Sequence, residues 1–157
     1  MPPGPNEYQG NIYTVLKDVL QRPAEIDSDR VYYRPGTAEK RYLEAFVRPE
    51  RIASPVGPDT PTVTVRWNRV PPYDTYRIDY ADPNVSFHCG WHSDDDHPEY
   101  GSVHFQYEHP GLDETAYESA TFEATSPPRI LWEALDRLFH EIIPSHVAPL
   151  YDTDTHS

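Results

Sequence analysis

Eighteen prolines and seven glycines punctuate this chain of 157 residues, so whatever it folds into must be assembled from short elements joined by frequent turns. Proline fixes φ and lacks an N–H, which stops helices and keeps it out of central strands. No internal repeat or low-complexity block organises the chain instead. A chain of this length typically buries about 70% of the surface its unfolded form exposes, enough for one core without staples. The lone Cys89 excludes a disulfide framework within the chain and any zinc site built only from cysteine.

Between the punctuation marks, hydrophobic periodicity predicts the elements. Ile12, Val15, Leu16, Val19 and Leu20 recur at helical spacing over residues 11–21, and Pro23 ends the pattern. Strands are expected at Arg41–Arg48 and Thr62–Trp67, on either side of a proline-rich loop at 49–61, and again at Tyr73–Tyr80. Ala81-Asp82-Pro83-Asn84 reads as a turn. The next strand puts Val85, Phe87, Cys89 and Trp91 on one face, with Ser86, His88, Gly90 and His92 opposite; after an acidic loop at 93–100, Val103, Phe105 and Tyr107 alternate with Ser102, His104, Gln106 and Glu108. A weaker strand is expected at Ser119–Ala124. Ser126-Pro127-Pro128 opens a helix whose stripe is Leu131, Leu135, Leu138 and Ile142, ending before Pro144. The expected fold is therefore α+β: an antiparallel meander of about five strands, packed by a C-terminal amphipathic helix and a short N-terminal helix. Residues 1–10 read as a disordered leader, 11–150 as a single domain and 151–157 as a flexible tail.

Charge narrows the setting. Asp and Glu number 26 against 13 Lys and Arg, a formal net charge of -13, and Lys17 and Lys40 are the only lysines, which leaves eleven arginines. Favouring carboxylates while shedding long ammonium stems suits a protein that must stay hydrated in molar salt, and points to a salt-adapted microbe. There the screening length falls to about 3 Å, so net charge does not veto a nucleic-acid partner, but binding must rest on stacking, hydrogen bonds and close arginine contacts. Twelve tyrosines, among them Tyr32, Tyr33, Tyr73, Tyr76, Tyr80, Tyr100 and Tyr107 around the sheet, include some able to stack on bases. With no apolar run of membrane length and no basic and apolar leader at Met1–Glu7, the expectation is a soluble, cytoplasmic protein.

Five of the eight histidines, His88, His92, His97, His104 and His109, fall within one stretch. On a helix, His88 and His92 would share a face; on a strand, four residues span roughly 13 Å, which rejects a two-residue zinc motif. The apolar faces of 85–91 and 103–107 must both meet the core, so paired residue numbers must sum to an even value. A register setting His92 opposite Ser102 places His104 across from Gly90, with His88 and His92 as diagonal neighbours. A four-residue turn at 81–84 pairs Tyr80 with Val85 and Arg77 with His88. Arg77, His88, His92 and His104 then gather over Gly90, whose missing side chain leaves room for a substrate backbone.

Imidazoles titrate near neutrality, so one accepts a proton while another donates, and an arginine holds a developing oxyanion. Those are the parts of metal-independent RNA cleavage, with no cofactor: His92 and His104 exchange proton roles, Arg77 contacts phosphate and His88 orients. Two alternatives stand beside it. One is a metal site of His88, His92 and His104 with Asp94, Asp95 or Asp96; the other is a non-enzymatic interaction module whose exposed histidines are polar filler. By alternation Cys89 faces the core and reads as a small buried hydrophobe, and His140 reads as surface.

Over 41–143 the chain resembles the TumE family of toxin–antitoxin proteins. The resemblance lies in Arg41-Tyr42-Leu43-Glu44-Ala45, in Tyr76-Arg77-Ile78-Asp79-Tyr80 followed by Asp82-Pro83-Asn84, in the Phe87–His92 segment, in the second histidine strand at His104, and in Thr121–Ser126 leading to the Leu131–Ile142 helix. Cys89-Gly90 stands where the family tends to carry Asp-Asn, so only His92 and His104 transfer. The resemblance implies a toxin directed at RNA or translation, held inactive by an antitoxin partner of the DNA-binding winged or helix-turn-helix type.

Overall fold

The computed structural model describes residues 5–52, 57–69, 73–94 and 98–155. It is α+β, with seven strands rather than about five, all antiparallel and ordered along the sheet as along the chain. The elements are α1 (Pro5–Leu20), β1 (Ile26–Pro35), β2 (Lys40–Val47), β3 (Thr62–Asn68), β4 (Thr75–Asp82), β5 (Phe87–Ser93), β6 (His104–Glu108), β7 (Ala116–Ser119), α2 (Pro127–Arg137), a π-helix (Leu138–Val147) and α3 (Ala148–Thr155).

One face of the sheet is apolar and carries the helices. Leu43, Ala45, Val63, Val65, Trp67, Ile78, Phe87, Cys89, Trp91 and Phe105 point inward from the strands, as period-two alternation dictates. Against them pack Ile12, Tyr13, Leu16, Val19 and Leu20 of α1 and Leu131, Ala134 and Leu135 of α2. Val15 departs from the predicted stripe and stays 46% exposed. Tyr13 docks α1 through its hydroxyl, which donates to the Arg41 carbonyl at 2.6 Å and accepts from the Trp67 N–H at 3.0 Å; burial raises its pKa.

Four features differ from the sequence expectation. α1 begins at Pro5, inside the stretch expected as leader. β1 is additional: Asp27, Ser28, Asp29 and Arg30 break its alternation, and its pairing with β2 shifts register between Ile26 and Val31. The last strand lies at Ala116–Ser119, upstream of 119–124. The final helix does not stop before Pro144 but passes through it as a π-helix, closing with the Ala148 N–H on the Ile143 carbonyl. A wider turn accommodates a residue that has no N–H and whose ring crowds the preceding carbonyls. Leu138, Phe139, Ile143 and Val147 are buried there, which stabilises the irregular segment by packing.

The continued helix brings Tyr151 to the core, 4% exposed, so that residue is not part of a frayed tail. Its hydroxyl donates to Asp82, which is wholly buried and also accepts from the Asn84 N–H and side-chain amide. No helix among the described residues is long and apolar enough to cross a membrane.

Candidate functional site

The position of the site follows from two turns. Asp82 caps a single 3-10 turn at Pro83–Val85, and Ser86 then takes a left-handed conformation with φ 51°. The β4–β5 turn therefore lies two residues later than the expected 81–84. Arg77 consequently faces His92, Asp79 faces Gly90 and Ala81 faces His88, so the expected Arg77–His88 pair does not form. Across the next interface His92 lies directly opposite His104, Gly90 opposite Gln106 and His88 opposite Glu108. The expected His92–Ser102 and His104–Gly90 partners are thus displaced by two residues. That displacement keeps the parity which sends Trp91 and Phe105 into the core and both histidines to the other face.

Asp79 is the residue that organises the histidines. A Cβ built on Gly90 would lie 2.0 Å from Asp79 Oδ1 and 2.9 Å from the Ile78 carbonyl. The glycine thus leaves room for this carboxylate to cross the strand and meet His92 Nε2 at 2.6 Å. The dent expected to receive a substrate backbone is filled by the chain's own side chain. His92 and His104 meet edge to face with ring centres 5.4 Å apart, and His104 Nε2 lies 3.0 Å from Gln106 Oε1. Tyr117 sits 5.8 Å from the His104 ring and stacks in turn on Tyr100. Beneath this cover His92 is 5% and His104 1% exposed.

Arg77 lies next to His92 and 3.6 Å from Asp94. On its other side is Arg66 of β3, its direct cross-strand partner. Arg66, Asn68, Thr75, Arg77, Ser93 and Asp94 line a cleft of about 230 Å³ that opens beside the histidine pair.

His88 leaves the predicted cluster. It stands a strand length from His92, roughly 13 Å by strand rise, and pairs with Glu108 at 2.7 Å in a half-exposed setting. There the Thr115 hydroxyl, with His88, holds the Glu108 carboxyl below the usual carboxylate range. The alternative metal set of His88, His92, His104 and Asp94 is not assembled, and among the described residues no group of three His, Cys, Asp or Glu could hold an ion; Asp95, Asp96 and His97 lie outside them. His109 packs on Phe87, away from the pair. Cys89 is buried, and desolvation pushes its thiol well up, which leaves it an inert hydrophobe. His140 is 64% exposed, as predicted.

Sequence reasoning missed Asp79, Gln106, Tyr117 and Arg66. The signal for Asp79 was present: a glycine inside an otherwise regular strand marks a close approach by a neighbour, and Asp79 shares the polar alternation of Arg77. What the site offers is a carboxylate–imidazole–imidazole row with an arginine at one end. The carboxylate fixes the orientation of the His92 ring, and an imidazole so held is placed to exchange a proton with a bound hydroxyl.

Comparison with protein-family models, with curated proteins and with solved structures returned no match to this chain. The resemblance to the TumE family therefore rests on the sequence segments that carry it.

Proposed function

We propose that this protein is the toxin of a toxin–antitoxin pair in a salt-adapted microbe, and that it cleaves RNA without a metal ion. The observation that carries the reading is the ring contact between His92 and His104, with Asp79 on the first and Arg77 beside it. His92, backed by Asp79, takes the proton of a ribose 2'-hydroxyl. The 2'-oxygen bonds to phosphorus, Arg77 holds the phosphorane charge, and His104 protonates the departing 5'-oxygen. The products are a 2',3'-cyclic phosphate and a 5'-hydroxyl, and the proton left on His92 returns to His104 through solvent. Asp79 fills the orienting role first given to His88. Incubation of RNA in molar KCl with EDTA tests this. Wild type should yield cyclic-phosphate ends and His104→Ala none; intact RNA with wild type removes the reading. The partner it implies, a small DNA-binding antitoxin, should co-purify when expressed from the adjacent reading frame.

One observation favours a second reading, a non-enzymatic interaction module: both imidazoles are almost wholly covered. On that reading, His92→Ala and His104→Ala leave any cellular phenotype intact.

A further inference from the structure

Among the described residues no helix packs on the outward face of β1–β4, and the charge of that face runs against that of the whole molecule. In a chain with 26 carboxylates and 13 cationic side chains, Arg30, Arg34, Arg66 and Arg77 stand there against Glu44 and Asp79. Both acids are already engaged, Glu44 with Arg34 at 2.8 Å and Asp79 with His92. Three of the arginines lie over aromatic rings. The Arg30 guanidinium is 4.0 Å from the centre of Phe46, that of Arg34 is 4.7 Å from Tyr32, and that of Arg66 is 4.8 Å from Tyr42. Tyr32 and Phe46 meet edge to face at 6.0 Å, joining two of these pairs into one aromatic patch.

The Arg66–Arg77 pair is the sharper signal. Like charges directly opposite on neighbouring strands destabilise a sheet, yet these two share one wall of the 230 Å³ cleft beside the histidines. Arg77 has Asp94 within reach. Arg66 is exposed and has no carboxylate within ion-pair distance among the described residues, and its guanidinium lies over the Tyr42 ring. Both side chains line the cleft, and a phosphodiester seated there would fit their forked donors.

We propose that this face is a binding track for single-stranded RNA, with one phosphate held between Arg66 and Arg77 and bases stacked on the Tyr42, Tyr32 and Phe46 patch. The choice of RNA rests on the ribonuclease reading of the histidine site. A phosphate between Arg66 and Arg77 is one strand away from His92, so a strand lying along the track delivers its next linkage to the imidazole pair. Duplexes are disfavoured because their bases offer no free faces. Stacking and arginine–ring contacts survive molar salt, where counterion release no longer drives binding, so the track suits the acidic, salt-adapted composition.

The test is fluorescence anisotropy in 2 M KCl with a labelled 2'-O-methyl uridine 12-mer, which lacks the nucleophile and so reports binding apart from cleavage. Arg66→Gln should weaken binding about tenfold, and Tyr42→Ala by a similar factor, while Trp132→Ala on the helical side leaves it unchanged. Far-UV circular dichroism and thermal midpoints confirm that each variant is folded, and Arg30→Gln provides an independent variant at a surface position. RNA should bind at least as tightly as DNA of the same sequence and well above an RNA duplex. Equal binding by wild type, Arg66→Gln and Tyr42→Ala overturns the track, as does tighter binding of the duplex or of DNA. If the 12-mer binds through these residues but unmodified RNA stays intact, the track stands and the ribonuclease reading falls. If RNA is cut and the face variants bind and cut as wild type does, the track falls alone.

Discussion

Asp79 and Asp82 sit three positions apart on β4, point to opposite faces of the sheet, and serve different ends. Asp82 is fully buried among donors that do not change charge near neutrality: the Tyr151 hydroxyl, the Asn84 N–H and the Asn84 amide. A buried carboxylate so satisfied can only hold things in place, here the last helix against the β4–β5 turn. Asp79 spends its carboxylate on an imidazole, a partner that can gain and lose a proton. The two share a strand and a residue type but not burial, since the Asp79 side chain is 39% exposed; what separates them further is the partner each holds, an imidazole for Asp79 and neutral donors for Asp82.

The comparison breaks first at Asp79. Asp79→Asn keeps the shape but loses the charge behind His92, and RNA cleavage should fall about 10²- to 10⁴-fold while the thermal midpoint moves little. Asp82→Ala should do the reverse. It leaves the Tyr151 hydroxyl and two Asn84 donors without their acceptor, and urea unfolding should show a loss of about 3 kcal/mol. Gly90→Ala strikes both properties, because the new methyl group meets Asp79 Oδ1 and the Ile78 carbonyl. About 1–3 kcal/mol of stability should go, as is usual for overpacking, together with the RNA cleavage proposed for the Asp79–His92 pair. Tyr151→Phe removes one donor and should cost about 1–2 kcal/mol without touching cleavage; an equal loss of cleavage would show that the two aspartates are not separable.

The smallest effect concerns His146, which packs on Phe87 and Tyr107 and whose pKa is lowered by burial. With a folded value below the unfolded one, the unfolded chain binds more protons as pH falls through about 6.5, so this histidine's share of stability is present above that pH and lost below it. The gap in urea midpoint between wild type and His146→Gln should therefore narrow from pH 7.5 to pH 5.5.

Most of the fold was legible because period-two alternation in β2–β6 and the Leu131–Leu138 stripe are local signals that the core then enforces. β1 was not, since Asp27, Ser28 and Asp29 obscure its pattern and only pairing with β2 makes it a strand. The passage through Pro144 was hidden for a related reason: local chemistry forecasts a stop, and burial of Ile143 and Val147 overrides it. At the site, parity placed His92 and His104 on one face, but register depends on turn geometry that residue types alone leave open. The Asp82 cap and the left-handed Ser86 set the β4–β5 turn two residues later, so Arg77 meets His92 rather than His88. The β5–β6 pairing is itself displaced by two, so His104 meets His92 rather than Gly90. Those displacements brought the two histidines into contact and carried His88 away.

The Tyr151–Asp82 bond also makes the far end of the chain a clasp on the hairpin that holds both Asp79 and His92. A nick after Val147 would free the clasp while sparing every strand and every residue of the imidazole row. The hairpin's register, and with it the alignment of carboxylate to ring, would then rest on its ladders with β3 and β6 and on the core, without the anchor at its turn.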